Sequence, residues 1–189
     1  AHPSHSNGQD APPLVVAHCR DLVPGLAVLD GLRGELGFRS CLHTAEKLVN
    51  PWPASPLLLG LSHKQYALRM AGTLRALGQT GRILLGNHGT VDLMTHKETE
   101  VIVVGPEGIS EAKVAPADLG LSLPSEVYSL GKLGEWPAWI DEILSGAPGP
   151  DSRALRDSVL YHLAVFLWAA GAVPDPASGL AAVRAKAII

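Results

Sequence analysis

Charge is scarce in this chain of 189 residues. Asp, Glu, Lys and Arg make up 17% of it, and 15 basic residues face 18 acidic ones, for a formal net charge of -3. That balance leaves no electrostatic footprint for sequence-independent binding to DNA or RNA. Cysteine is scarcer still. Cys19 and Cys41 are too few for a disulfide framework and lack the paired spacing of a zinc ribbon, so they read as two reduced core thiols, with a single disulfide between them as the alternative. No apolar run reaches the roughly 18 residues that a bilayer demands, and the most apolar stretch, Val159 to Val173, contains His162. A Walker loop, a Gly-x-Gly-x-x-Gly turn and a Gly-x-Ser-x-Gly elbow are all missing, so no glycine-rich phosphate cradle is present in these residues. The histidines, His2, His5, His18, His43, His63, His88, His96 and His162, are scattered, with no helical His-x-x-x-His pair and no compact Cys/His cluster. The chain starts without Met on a polar stretch, which sets the expectation of a processed product or a fragment.

What is present is apolar and well punctuated: 47% hydrophobic residues, 20 Gly and 15 Pro. This composition predicts a folded domain over 14–189 behind a flexible tail, 1–13. Leu22, Leu26, Leu29 and Leu32 recur at helical steps, predicting a helix from Asp21 that stops at Gly34 or Gly37. Leu57 to Leu61 is a short continuous apolar run of the kind found in strands buried on both faces. Ser62 follows as the expected N-cap, Ala67, Met70, Ala71 and Leu74 make a helical stripe, and Gly78 ends it. Arg82 to Gly86 is a second apolar strand, so the segment reads as a βαβ unit with parallel pairing. Glu100 to Val104, a polar turn, and Ser110 to Val114 predict an antiparallel hairpin. Three helices follow: Trp136 to Leu144, Ser152 to Ala170, and Ser178 to Ile189. The fold class is α/β, an incomplete parallel sheet with a βαβ unit, a β-hairpin and C-terminal helices.

In open parallel sheets, ligands bind beyond the carboxyl ends of the strands. That rule selects Ser62-His63 and Asn87-His88-Gly89-Thr90 as the places for chemistry. His88 has the position to donate to a phosphate or a carbonyl, or simply to hold its loop. His63, in the first helical turn, reads as a surface residue. His162, in the apolar helix, reads as a hydrogen-bonded interior or interface histidine.

Four collinear segments carry a family resemblance. Leu32-Arg33-Gly34-Glu35-Leu36-Gly37-Phe38-Arg39-Ser40, running on to Leu48-Val49-Asn50-Pro51, resembles a signature of anthranilate phosphoribosyltransferase. The helix from His63 to Leu77 looks like the element that follows in that family. Thr99-Glu100-Val101, through the hairpin to Ala115-Pro116-Ala117-Asp118-Leu119-Gly120-Leu121, is similar to its Thr-Glu-Val and Pro-Glu-Asp-x-Gly-Leu segments. Arg156-Asp157-Ser158-Val159-Leu160, ending at Ala169-Ala170-Gly171, resembles its late helix. His43-Thr44-Ala45-Glu46-Lys47-Leu48 is closer to a divergent paralogue group of the family, some members of which bind nucleic acid.

The resemblance implies a phosphoribosyltransferase-like α/β fold covering only the family's C-terminal part. It places an acceptor-binding arginine at Arg33 and the family's His-Gly at His88 and Gly89. The acid pair that holds magnesium falls on Met94 and Thr95 counting from His88, or on Val91 and Asp92 counting back from Thr99. At most Asp92 remains, as a vestigial metal position, and a hard cation held by one acid is held poorly. The family's diphosphate loop, Gly-Thr-Gly-Gly-Asp, does not occur in the sequence. Its upstream His-Pro becomes Val23-Pro24, and its Gly-Pro becomes Glu46-Lys47. The expectation is a non-catalytic relative, with no cofactor, acting as a structural or binding subunit among other protein subunits, in an organelle such as a mitochondrion or plastid. The alternative is the C-terminal part of an active transferase, with magnesium, whose phosphate-binding half lies elsewhere. A third reading is a nucleic-acid-binding paralogue using Lys47, Lys64 and Arg69. A further expectation is that the apolar Ser152 to Ala170 helix needs cover from another chain or from the helices around it.

Overall fold

The structure, a computed structural model, describes residues 19–25, 31, 34–37, 44–121, 123, 136–145 and 149–185. It divides into two compact units, Ala1–Pro51 and Trp52–Ile189. In the first, a short helix α1 spans Cys19–Leu22, and Glu46–Leu48 form a 3-10 turn. The backbone is also helical at 34–36 and then turns left-handed at Gly37, with φ 66°, where the helix was expected to stop. Arg33 and Cys41 lie outside the described residues.

The second unit carries the sheet. Strand β1, Leu57–Gly60, leads into helix α2, Lys64–Ala76, and then strand β2, Gly81–Leu84. The two strands are parallel, with Leu57 opposite Gly81 and Gly60 opposite Leu84. Helix α2 buries Ala67, Met70, Ala71 and Leu74, the expected stripe. It ends as glycine-stopped helices do: Gly78 has φ 67°, and the Gln79 N–H returns to the Leu74 carbonyl at 2.9 Å. Its N-cap is His63 rather than Ser62. The amides of Tyr66 and Ala67 both bond to the His63 carbonyl at 3.1 Å, so the helix begins one residue later than the Ser62 hydroxyl promised.

Strands β3, Thr99–Gly105, and β4, Gly108–Val114, form the expected hairpin, closed by Pro106 and Glu107. The sheet order is β1-β2-β3-β4, and β2 pairs with β3 antiparallel. The sheet is therefore mixed rather than wholly parallel. The chain between β2 and β3 forms no crossover helix and stays at one end of the sheet, so β3 must run back.

Alternation along the strands gives the sheet two faces. Leu59, Ile83, Ile102 and Val104 share the face that α2 covers. Leu84, Val101 and Val114 face the C-terminal helices and pack with Leu160, Tyr161, Ala164, Val165, Leu180 and Val183. Those helices are α3, Trp136–Leu144, α4, Pro150–Ala169, and α5, Pro176–Ala185. Helices α4 and α5 begin two residues earlier than expected because each opens on a proline, whose fixed φ and missing N–H suit a first helical turn. Asp175 caps α5 by accepting from the Ser178 amide at 2.7 Å. Helices α4 and α5 meet closely at Gly179, where a Cβ would run into the Ala164 backbone. This contact and the sheet bury Leu160, Val165 and Ala169, while Leu163, Phe166, Leu167 and Trp168 remain half-buried. Among the described residues, no helix is long and apolar enough to cross a membrane.

Candidate functional site

The carboxyl ends of β1 and β2 are where a ligand of this fold class would approach. There the chain leaves β2, and Asn87–Gly89 make a 3-10 turn in which His88 takes φ 49°, ψ 23°. Gly89 follows at φ 75°. A left-handed non-glycine residue costs about 1–2 kcal/mol, so the surrounding contacts hold this loop in place. The Asn87 amide donates to the Asp92 carbonyl at 2.7 Å. The Thr90 hydroxyl lies 2.7 Å from both the Asn87 carbonyl and Asp92 Oδ2, so its single proton serves one acceptor at a time. Thr90 Oγ1 accepts in turn from the Asp92 amide at 3.1 Å.

Three glycines let this loop close on the strand ends. A Cβ on Gly60, the last residue of β1, would overlap the Thr90 carbonyl group. One on Gly86 would overlap the Thr90 and Asp92 carbonyl oxygens, and one on Gly89 would strike Ser62 Oγ. Gly89 is thus brought against Ser62, and His88 is left exposed beside them. The backbone of Thr90 fills the space above β1.

The far limb of the loop is tied to other elements. The Leu93 amide donates to His162 Nε2 at 2.9 Å, and His162 Nδ1 lies 2.7 Å from the Ser158 carbonyl. These two bonds assign the neutral tautomer with its proton on Nδ1. The interior, hydrogen-bonded role expected for His162 is the one observed; its partner on a distant loop had no sequence signal. Next to it, the Met94 amide donates to the fully buried Thr99 hydroxyl oxygen at 2.7 Å. Tyr161, also fully buried, donates to the Val114 carbonyl at 3.1 Å, and burial pushes its phenol up to about 12.

Beside the loop, a cavity of about 480 Å³ is lined by Ser62, His63, Lys64, Gln65 and Tyr66. Its one formal cation is already neutralised. Lys64 Nζ lies 2.8 Å from Glu100 Oε2 and 2.6 Å from Glu111 Oε2, and these hydrogen bonds raise its pKa. Lys64 therefore sits between two carboxylates rather than in an uncompensated basic surface. Lys113 and Glu98 form a further surface pair at 2.7 Å.

The described residues of this loop do not fit a magnesium ion. Met94 and Thr95 carry no charge, and the Asp92 carboxylate accepts from its neighbour Thr90. Glu98 and Glu100, the nearest acids in sequence, are taken by Lys113 and Lys64. Among the described residues, no group of three or more His, Cys, Asp or Glu side chains is placed to hold a metal. The structure thus brings together His88, Gly89 and Asp92 on one loop with Ser62, but without an acid pair, and Arg33 lies outside the described residues.

Residues 17–188 match the glycosyl transferase family, a/b domain. Anthranilate phosphoribosyltransferase of Geotalea uraniireducens is 32% identical over 152 residues, covering 79% of this chain and 42% of the relative. An uncharacterized protein of Aquifex aeolicus is 29% identical over 166 residues, covering 87% of this chain and 52% of the relative. Among solved structures, anthranilate phosphoribosyltransferase from Thermus thermophilus superposes with a TM-score of 0.66 at 27% identity, over 87% of this chain and 48% of that one. The chain spans about half the length of the relatives it matches. With the family's α/β arrangement present and its matching covering residues 17–188, the chain belongs to the glycosyl transferase family, a/b domain.

Proposed function

We propose that this chain is a non-catalytic relative of the anthranilate phosphoribosyltransferases, a structural or binding subunit that works with other protein chains. The observation that carries this reading is the loop 86–95. Its acid-pair positions fall on Met94 and Thr95 or on Val91 and Asp92, so at most one carboxylate, Asp92, stands there; that carboxylate is bound to Thr90, and the Thr90 backbone packs against Gly60 at the end of β1. Transfer from a phosphoribosyl diphosphate depends on positioning and on neutralising the departing diphosphate. A loop without an acid pair supplies neither. The ion pairs of Lys64 with Glu100 and Glu111 weigh against the nucleic-acid reading, since two carboxylates beside that ammonium repel a phosphate.

A second reading rests on the share of the relatives covered: the chain is half of an active, magnesium-dependent transferase whose phosphate-binding half lies on another chain or was cut away. An upstream Gly-Thr-Gly-Gly-Asp stretch in the same reading frame would favour it. The test of the first reading is a turnover assay with anthranilate, phosphoribosyl diphosphate and magnesium. No product above the uncatalysed blank is expected. Multiple turnovers that vanish in Arg33→Ala would overturn it.

A further inference from the structure

The sheet register places Leu58, Arg82, Val103 and Ser110 in one row across the four strands. The next row on the same face holds Gly60, Leu84, Val101 and Ala112, and Thr99 and Val114 lie beyond it. Arg82 is thus the one ionisable side chain set by the strands on the face that α4 and α5 cover. Both lysines bonded to acids on the opposite face, Lys64 and Lys113, have carboxylates within 3 Å. Arg82 has none among the described residues, and burial lowers its pKa with nothing opposing the shift.

Its donors are unevenly used. Nη1 donates to the Gly81 carbonyl at 3.1 Å, and Nε is sealed from solvent without an acceptor. The guanidinium carbon lies 5.4 Å from the centre of the Trp168 ring, which backs it on one side. Nη2 has no acceptor among the described residues and is the part left for a partner. Half-buried Leu58 and Val103 are its cross-strand neighbours and, with Trp168, make its setting apolar. Gln79 Oε1, the other sealed and unpaired side-chain atom among the described residues, also lies just before β2.

We propose that Arg82, backed by Trp168, is a receptor for a single carboxylate group. A guanidinium matches a carboxylate in shape and hydrogen-bonding geometry, and a half-buried cation in an apolar setting gains most from one compensating charge. A phosphate dianion would bring a second charge with no second cation to meet it. The receptor lies at the amino end of β2, away from the His88 loop at its carboxyl end, so it does not depend on the reading given above for that loop. The carboxylate is borne either by a small organic acid or by an acidic side chain of another chain.

Melting curves and side-chain NMR of the whole chain test this. Acetate is compared with chloride at equal ionic strength, and a short peptide with one Glu is compared with its Gln version. Acetate, the Glu peptide or both are expected to raise the midpoint of the unmodified chain by about 2 °C or more at saturation, and to shift the Arg82 side-chain N–H signals. A response to the peptide at lower concentration than acetate assigns the group to another chain; a response to acetate alone assigns it to a small acid. Arg82→Met, which keeps the stem and removes the charge, is expected to abolish the difference between the anions. Equal midpoints in all four solutions with unmoved Arg82 signals, or an undiminished response in Arg82→Met, would overturn the proposal. If Arg82→Met does not fold, the Arg82 signals of the unmodified chain decide alone.

Discussion

At the scale of single residues, the loop over the strand ends is held by small, specific contacts. Gly60 is there because the Thr90 carbonyl occupies the space of its absent Cβ. Gly60→Ala is expected to destabilise the fold by about 1–3 kcal/mol, the usual range for overpacking, with amide signals of 86–92 displaced. His162 contributes through an acceptor nitrogen. Replacing it with Phe keeps an aromatic ring but leaves the Leu93 N–H without a partner, at a cost of about 1–3 kcal/mol. Denaturant unfolding gives the loss, and hydrogen exchange at Leu93 locates it. Faster exchange at Leu93 than at core residues such as Ile83 is the expected pattern; unchanged protection would refute the tie.

At the scale of elements, buried and capping polar groups link helices to the sheet. Tyr161 joins α4 to the end of β4, and its phenol is pushed up to about 12 by burial. A raised acid of this kind stabilises fully below the unfolded value near 10, and the contribution disappears as pH climbs from there through about 12. Tyr161→Phe is expected to flatten that alkaline limb and to lower stability by about 1–3 kcal/mol at neutral pH, through the unpaired Val114 carbonyl. Glu142 joins α3 to the start of α4, accepting from the Ser152 hydroxyl at 2.5 Å and the Gly149 amide at 3.2 Å. Those bonds lower its pKa, the hydroxyl most. Its contribution is present above the unfolded carboxylate value and is lost as pH falls through the lower folded one. Glu142→Gln is expected to remove part of the acid dependence of unfolding, followed by circular dichroism between pH 5 and 2.

Such links show what the sequence could reveal at this scale. The stripe Ala67, Met70, Ala71 and Leu74, the stop at Gly78 and the turn at Pro106-Glu107 follow from spacing and backbone preference, and all lie where pattern alone placed them. The antiparallel run of β3 did not, because the direction of a strand depends on where the intervening loop stays, not on its apolar residues. The cap at His63 escaped for a similar reason: the Ser62 side chain is against Gly89, a contact made only after folding. At the candidate site, the positions of His88, Gly89 and Asp92 were legible as a strand exit. Their ties to Thr90, His162 and Gly60 were not, since each joins segments far apart in sequence or depends on backbone atoms.

At the scale of the whole molecule, the chain carries about half of a transferase fold, and the strand ends that would serve chemistry are covered by the chain's own loop. Tyr66, Leu68 and Leu77 on or just after α2, and Ile140 on α3, are exposed apolar side chains of the kind that a partner chain would cover. The central claim concerns the loop 86–95: with at most one acid, Asp92, at its acid-pair positions, we propose that it does not hold a magnesium diphosphate. Equilibrium titration of the 189-residue chain with phosphoribosyl diphosphate, with and without magnesium, tests that claim directly. The account predicts no saturable heat up to millimolar ligand and no effect of magnesium. Micromolar binding that requires magnesium and is lost in Asp92→Asn would contradict it.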